Sequence, residues 1–130
     1  MCNLIETLKA KENMCSFQSV PGERITEAEN RLGLVFADDY KDYLSEFGAA
    51  SYYGHELTGL CDYKRLNVVS LTIEERANNE NILQDMYIIE NVGVENMTIW
   101  QNSQGEIFEV PYKGTPKKIC NSFIEYLTNY

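Results

Sequence analysis

The sequence predicts an α+β fold, with helices packed on one face of a mainly antiparallel sheet, in a single domain that spans residues 1–130. Helix patterns come first, strand patterns cluster after residue 50, and one helix pattern closes the chain. This order differs from the strand–helix alternation that is typical of parallel sheets. A chain of 130 residues, 44% of them apolar, fits one folded domain with its own core.

A short helix is expected at the N-terminus. It begins at Asn3, because Glu6 three residues later completes a capping pair, and it fades near Asn13. Its apolar face consists of Leu4, Ile5 and Leu8.

Two further helices are expected before residue 49. Thr26 and Glu29 form a capping box, so the second helix begins at Thr26 and ends at Gly33. The third is capped by Asp38 or Asp39 and ends at the glycine of position 48. Its core-facing residues, at i, i+3, i+4 and i+7, are Tyr40, Tyr43, Leu44 and Phe47.

The middle of the chain favours strands. Residues 52–53 and 56–58 are short candidates between glycines. A capping box at Thr72 and Glu75 predicts one short helix, which begins at Thr72. Residues 86–90, 97–100 and 106–110 are rich in strand formers, and residues 102–105 connect the last two as a hairpin.

A strand and a helix are expected at the C-terminus. Ser122 and Glu125 form a third capping box, with Phe123, Tyr126 and Leu127 as the buried face. A start at Pro116 would place two lysines at the positive end of the helix dipole. We therefore expect residues 117–120 to form a strand instead.

The charge of −9, from 20 acidic and 11 basic residues, limits the classes of partner. It argues against direct binding of nucleic acid or of an anionic membrane, and it suits a basic partner. The N-terminus lacks the apolar core of a signal peptide, so we expect a cytoplasmic protein. The cysteines are expected to be free and mostly buried, and they are Cys2, Cys15, Cys61 and Cys120.

Signs of catalysis are weak, and no catalytic, metal or cofactor residue is expected. His55 and Cys61 could pair as base and nucleophile, but their spacing supplies neither an orienting group nor an oxyanion donor. Four scattered cysteines and one histidine do not match a zinc site. The carboxylates of Glu74 and Glu75 are better explained by capping and dipole at a helix start, and no phosphate-binding loop is present.

Two features favour binding to another protein. Tyr52 and Tyr53 adjoin glycine in a stretch expected to be exposed, and tyrosine gives rigid contact area. Residues 74–109, called here the acidic segment, hold eight carboxylates and one arginine, a net charge of −7. Such a single-sign run is expected to steer a basic partner.

The chain resembles the SUKH superfamily of cell-wall-assembly-regulator-like proteins. The resemblance lies in residues 25–49, ITEAENRLGLVFADDYKDYLSEFGA, and in the SFIEYL run of residues 122–127. The leucine-proline that usually precedes the third helix is Phe36-Ala37 here, and the usual double glycine is Gly48-Ala49. Many family members are immunity proteins of bacterial contact-dependent toxin systems.

The resemblance implies a non-enzymatic binder that occludes a cognate toxin, often a nuclease, and it transfers no contact residue by position. A regulatory scaffold with an internal partner is the first alternative, and a small thiol hydrolase is the second. The candidate contact residues are Tyr52, Tyr53, His55, Glu56, Glu74, Glu75, Glu80, Asp85, Glu90 and Glu95.

Overall fold

The computed structural model describes residues 4–52, 55–91 and 97–129, and these residues form five α-helices, a short 3-10 turn and seven strands. The helices are α1 (Leu4–Lys9), α2 (Gly22–Leu32), α3 (Asp38–Phe47), α4 (Val68–Asn78) and α5 (Phe123–Asn129). The strands are β1 (Cys15–Ser16), β2 (Ala50–Tyr52), β3 (His55–Glu56), β4 (Met86–Asn91), β5 (Thr98–Asn102), β6 (Ile107–Val110) and β7 (Lys117–Cys120). The predicted cap at Asn3, together with Cys2, Tyr53 and Glu95, lies outside the described residues.

The strands form two antiparallel sheets, which confirms the α+β class. One sheet has the order β1-β2-β3, and the other has the order β4-β5-β6-β7. In the second sheet every strand pairs with its neighbour along the chain. The outer edge of β4 is covered by residues 57–58, because Thr58 N donates a hydrogen bond to Ile89 O at 2.9 Å.

The larger core lies between the four-stranded sheet and the helices. Tyr87, Ile89, Ile99 and Ile107 face this core from the sheet. Tyr40 and Tyr43 face it from α3, as predicted, and both are fully buried. Their rings contact that of Phe123 in α5, so the helices are joined by aromatic packing.

The opposite face of the same sheet carries a second, smaller cluster. Its buried members are Ile82, Met86, Ile88, Trp100 and Val110. Leu71 of α4 packs against this cluster as a partly buried side chain. α4 therefore lies at the edge of the sheet and reaches both faces, which the sequence patterns did not predict.

α2 begins at Gly22, four residues before the predicted start at Thr26. The predicted capping box fails because the fold uses its carboxylate elsewhere. Glu29 Oε2 accepts a hydrogen bond from Phe36 N at 2.8 Å, which fixes the connection to α3. The predicted end at Gly33 is confirmed, with a left-handed φ of 70°.

α4 likewise begins at Val68 rather than at Thr72. Asn67 caps it, accepting a hydrogen bond from Ser70 N at 3.0 Å. Thr72 is fully buried, and its Oγ1 accepts from Ile88 N at 3.1 Å. The second capping box is therefore a tertiary contact between α4 and the edge of β4.

The predicted caps of α3 are wrong, whereas its end is right. The N-cap is Ala37, and neither aspartate caps the helix. Asp39 instead accepts hydrogen bonds from Phe123 N at 2.8 Å and Gln101 Nε2 at 3.0 Å, so it holds the start of α5. Burial raises the pKa of this carboxyl above its usual value.

Gly48 ends α3, and its backbone meets a second glycine. Gly48 has a φ of 73°, which favours glycine. Leu60 N donates a hydrogen bond to Gly48 O at 2.8 Å. A Cβ atom added to Gly59 would lie 1.9 Å from Gly48 O, so two backbone segments cross here without room for a side chain.

The C-terminal elements follow the predictions. β7 and α5 occupy the expected positions, and Ser122 Oγ accepts a hydrogen bond from Glu125 N at 3.0 Å. In the predicted hairpin, Asn102 Oδ1 accepts from Gln104 N and Glu106 N at 3.1 and 2.9 Å. These local signals need no tertiary partner, which explains their success.

Candidate protein-binding surface

The fold separates the residues of the acidic segment. Glu106 is bound by Lys118 Nζ at 2.7 Å, and this contact lowers the pKa of Glu106 below its usual value. Glu109 lies opposite Lys117 in the β6–β7 register, and Glu90 is buried. The acidic segment therefore does not form one surface, and the predicted contact role of Glu90 is wrong.

Three carboxylates remain together at the C-terminal end of α4. Glu74 and Glu80 are exposed, and Glu75 is half-buried. Among the described residues, no cation pairs with these three side chains. Arg76, the one basic residue of the segment, donates instead to the backbone oxygens of Leu32 and Gln84 at 2.9 and 2.8 Å. We call Glu74, Glu75 and Glu80 the acidic helix end.

These charges do not stabilise the helix that carries them. Because α4 begins at Val68, Glu74 and Glu75 lie in its last two turns, and the explanation by capping at a helix start is wrong. The C-terminus of a helix dipole is negative, so carboxylates there are unfavourable by a few tenths of a kcal/mol or more. Burial, and secondly the charge of Glu74, raises the pKa of Glu75 above its usual value. The region therefore attracts cations.

A cleft of about 160 Å³ opens beside the acidic helix end. α4 and the residues that follow it form one wall, and the turn after β6 forms the other. Asn79 Nδ2 donates a hydrogen bond to Gly114 O at 3.0 Å and ties the two walls together. Trp100 lines the cleft from the sheet, and Tyr112, which is 62% exposed, lies on the opposite wall.

Glu90, predicted as a contact residue, belongs instead to a buried network. It is only 2% exposed. Its Oε2 lies 2.8 Å from His55 Nδ1, and its Oε1 accepts a hydrogen bond from Tyr126 Oη at 2.6 Å. The network joins β3, β4 and α5, so its function is structural in this conformation. We call His55, Glu90 and Tyr126 the Glu90 network.

A β-bulge directs Glu90 into the core. Ile88 pairs with Trp100, but Glu90 pairs with Ile99, so Ile89 is the extra residue. The bulge turns Glu90 to the face of Ile99, which packs against the helices. Simple alternation from the buried Ile88 would have placed Glu90 on the opposite face.

Tyr52 is also interior, which removes it from the predicted contact surface. It is 6% exposed, and its ring stacks on that of His55 with centroids 4.7 Å apart. Its hydroxyl is buried and has no hydrogen-bond partner among the described residues. Burial, and secondly the charge of Glu90, raises the pKa of Tyr52 well above that of a free tyrosine.

Glu56 is exposed, as predicted, and it borders an aromatic groove that the sequence did not indicate. Phe17 and Tyr63 line this groove, and their rings meet edge to face at 5.7 Å. The two rings are 38% and 61% exposed. They lie 46 positions apart in regions without a regular pattern, so no sequence signal joined them.

One contact supports the alternative of a small thiol hydrolase, because Glu90 holds the His55 ring in a fixed orientation. Cys61 Sγ lies 3.8 Å from the carbonyl oxygen of Tyr63. Of the described cysteines Cys120 is buried, Cys61 is half-buried and Cys15 is exposed, so the expectation of mostly buried thiols is wrong, although all three are free. These contacts supply no hydrogen-bond donor for an oxyanion beside His55 and Cys61.

The described residues contain neither a metal-ligand cluster nor a membrane-spanning helix. There, no group of three His, Cys, Asp or Glu side chains is placed to hold a metal ion. No helix there combines the length and the hydropathy needed to cross a membrane.

The fold and this surface define an α+β protein with an acidic, partly aromatic exterior. The model of the SUKH_5 family, described as SMI1-KNR4 cell-wall, matches residues 1–130, and the chain belongs to this family. The earlier resemblance is thereby confirmed over the whole chain. The family is generally non-enzymatic and is consistent with a role like that of an immunity protein. No curated protein matches the chain.

Proposed function

We propose that this protein is an immunity protein that binds a cognate bacterial toxin with a basic surface and occludes it. Family membership supports the proposal. The single observation that carries it is the acidic helix end, where none of the three carboxylates forms an ion pair with a described residue. A cytoplasmic location, where such a toxin acts, is part of the proposal.

The charges at the end of α4 favour a protein partner. The three carboxylates add to the negative end of the α4 dipole, so their fields reinforce one another. Such a field speeds the encounter with a basic partner and has its largest effect on the association rate. A nuclease, whose own surface must attract phosphates, is one class of toxin that fits.

The proposal is tested by co-expression with a toxin domain taken from a gene that neighbours the one for this chain. The expected result is rescue of growth and recovery of a complex. If growth is not rescued and no complex forms with that domain, the proposal is wrong. A neighbouring gene for a large secreted toxin separates immunity from the regulatory alternative before any experiment.

The contact surface is tested by charge reversal. The Glu74→Lys, Glu75→Lys, Glu80→Lys triple variant is expected to slow association with the toxin about tenfold or more, and added salt is expected to slow the unmodified protein in the same way. The matched control reverses Glu12, Glu23 and Glu27, which are exposed elsewhere and change the net charge equally. Equal slowing by both triple variants would show that net charge, not this surface, steers binding.

A further inference from the structure

We propose that the cleft between the end of α4 and the turn after β6 receives an arginine side chain of the partner. The inference rests on the proposed function, because it assigns the partner's anchoring group. The partner's arginine enters a cavity and does not lie on an open surface. The lining residues that carry it are Glu75, Asn79, Trp100, Tyr112 and Lys113.

The size of the cleft fits a guanidinium group. Its volume is about 160 Å³. Protein cavities near 150 Å³ accept a benzene ring, which has six heavy atoms. A guanidinium with two methylene groups has the same number of heavy atoms. The cleft is therefore large enough for the end of an arginine but not for a bulky organic ligand.

Most polar groups in the walls already have partners. Thr98 Oγ1 accepts a hydrogen bond from Trp100 Nε1 at 2.7 Å and donates to Val110 O at 3.2 Å. The amide of Asn79 donates to Gly114 O and accepts from Asn81 N. Among the described residues the carboxylate of Glu75 has no such partner. The cleft thus offers a negatively charged hydrogen-bond acceptor, which suits a cationic donor.

The walls favour a planar cation over a compact one. Tyr112 presents an aromatic side chain, and arginine stacks on such rings while its fork binds a carboxylate. Lys113 Nζ already lies 5.4 Å from the centroid of the Tyr112 ring. The ring therefore already has a cation beside it, and this lysine competes with an incoming one.

The cleft is preformed by the backbone. Lys113 has a φ of 56°, which is uncommon for a residue other than glycine. The turn that contains it is closed by a hydrogen bond from Gly114 N to Pro111 O at 2.8 Å. Asn81 Nδ2 also donates to Gly114 O at 3.2 Å. A wall fixed in this way loses little conformational entropy when a side chain enters.

The test uses N-acetyl-L-arginine amide as the probe, at constant ionic strength, without any toxin. Trp100 is the sole tryptophan, so its indole N–H signal reports occupation of the cleft without ambiguity. We expect a saturable shift of this signal with the arginine probe. Weaker responses are expected from the neutral citrulline and the compact lysine analogues.

Two variants give opposite expectations. Glu75→Gln is expected to weaken binding of the arginine probe about tenfold, whereas Lys113→Ala is expected to strengthen it two- to threefold. Glu23→Gln, on the exposed surface of α2, is the control and is expected to change nothing. Equal binding of the citrulline or lysine analogue, or an unchanged affinity in Glu75→Gln, would overturn the inference.

The two proposals fail separately. If the probe does not bind but co-expression rescues growth, the arginine receptor is wrong and the immunity function stands. If the probe binds as expected but no complex forms with the neighbouring toxin, the cleft binds arginine and the assigned partner is wrong.

Discussion

Glu90 and the acidic helix end are two acidic regions of the same segment, and the fold treats them in opposite ways. Glu90 is buried, and both of its oxygens have partners, His55 and Tyr126. Glu74 and Glu80 are exposed, and their carboxylates have no cation among the described residues. One region stabilises the fold, and the other is available for binding.

The difference shows that a run of like charges in a sequence mixes two kinds of residue. The net charge of −7 over residues 74–109 counts Glu90 equally with Glu80. Burial and hydrogen-bond partners distinguish the two residues. A charged carboxylate is buried only where hydrogen bonds to the protein replace those that it made with water. Four measurements test this division.

The largest effect is expected from alkaline pH, which acts on the buried tyrosine hydroxyls of the larger core. Burial raises the pKa of Tyr40, Tyr43, Tyr87 and Tyr126 above that of a free tyrosine. The unfolded chain loses these protons above pH ~10 while the folded chain keeps them, so stability is present below that pH and lost above it. Above that pH each tyrosine lowers the unfolding free energy by about 1.4 kcal/mol per pH unit, which is roughly 5 kcal/mol per pH unit for the four.

Urea unfolding between pH 8 and about 11.5, with tyrosinate absorbance followed in parallel, measures this loss. The tyrosines are expected to ionise together with unfolding. Gradual ionisation of all nine tyrosines in a chain that stays folded would contradict the buried arrangement.

The next effect is expected from Glu90→Ala. This change leaves the Tyr126 hydroxyl buried without its acceptor and removes the partner of His55, which costs about 3 kcal/mol of unfolding free energy. Glu80→Ala is the control and should cost less than about 0.5 kcal/mol. Equal free energies of unfolding for the two variants would remove the distinction between the regions.

A smaller contrast is expected inside the interior, between two tyrosine hydroxyls. Tyr126→Phe loses a hydrogen bond to Glu90 and should cost about 1–2 kcal/mol. Tyr52→Phe removes a buried hydroxyl that has no partner among the described residues, so it should be neutral or stabilising by up to about 1 kcal/mol. Denaturant unfolding of both variants checks the sign, and a clear loss in Tyr52→Phe would show that its hydroxyl is satisfied.

The smallest effect is expected at the acidic helix end. Replacing Glu74, Glu75 and Glu80 by Gln should raise the unfolding free energy by about 0.5 kcal/mol at neutral pH, since like charges at a negative helix end repel. The pKa of Glu75 is raised in the folded chain, so its favourable contribution exists at low pH and is lost as the pH rises through that pKa. The gain should therefore vanish near pH ~3, where carboxyls are protonated in both states.

Elements whose signals are local could be predicted from the sequence. The face of Tyr40, Tyr43, Leu44 and Phe47, the hairpin before Gly105 and the start of α5 at Ser122 all follow from neighbouring residues. Each depends on side chains within a few positions, and the tertiary contacts that some of them make, such as that of Tyr43 with Thr58, do not compete with the local pattern. Local patterns were sufficient there.

The failures share one physical cause, which is competition from tertiary partners. Glu29, Thr72 and Asp39 were assigned to nearby helix starts, yet each binds a backbone N–H of another segment. Glu90 was assigned to the surface as a member of the charge run, and the bulge that turns it inward cannot be read from the sequence. Of the predicted contact residues, Glu56, Glu74 and Glu80 are exposed, and His55, Glu75 and Asp85 are half-buried. The role of these six residues stays a prediction.

The crossing of Gly48 and Gly59 bears on how this protein can diversify. Most of the described residues between the two glycines are buried, and the backbone comes back to Gly48 where Leu60 N donates a hydrogen bond to Gly48 O. An added Cβ at Gly59 would lie 1.9 Å from the same oxygen, so this contact depends on glycine. Because the crossing is made by backbone atoms and excludes any side chain at Gly59, it stays fixed while exposed side chains elsewhere change. A gene under pressure to recognise new partners can therefore vary those exposed residues while inheriting an unchanged frame.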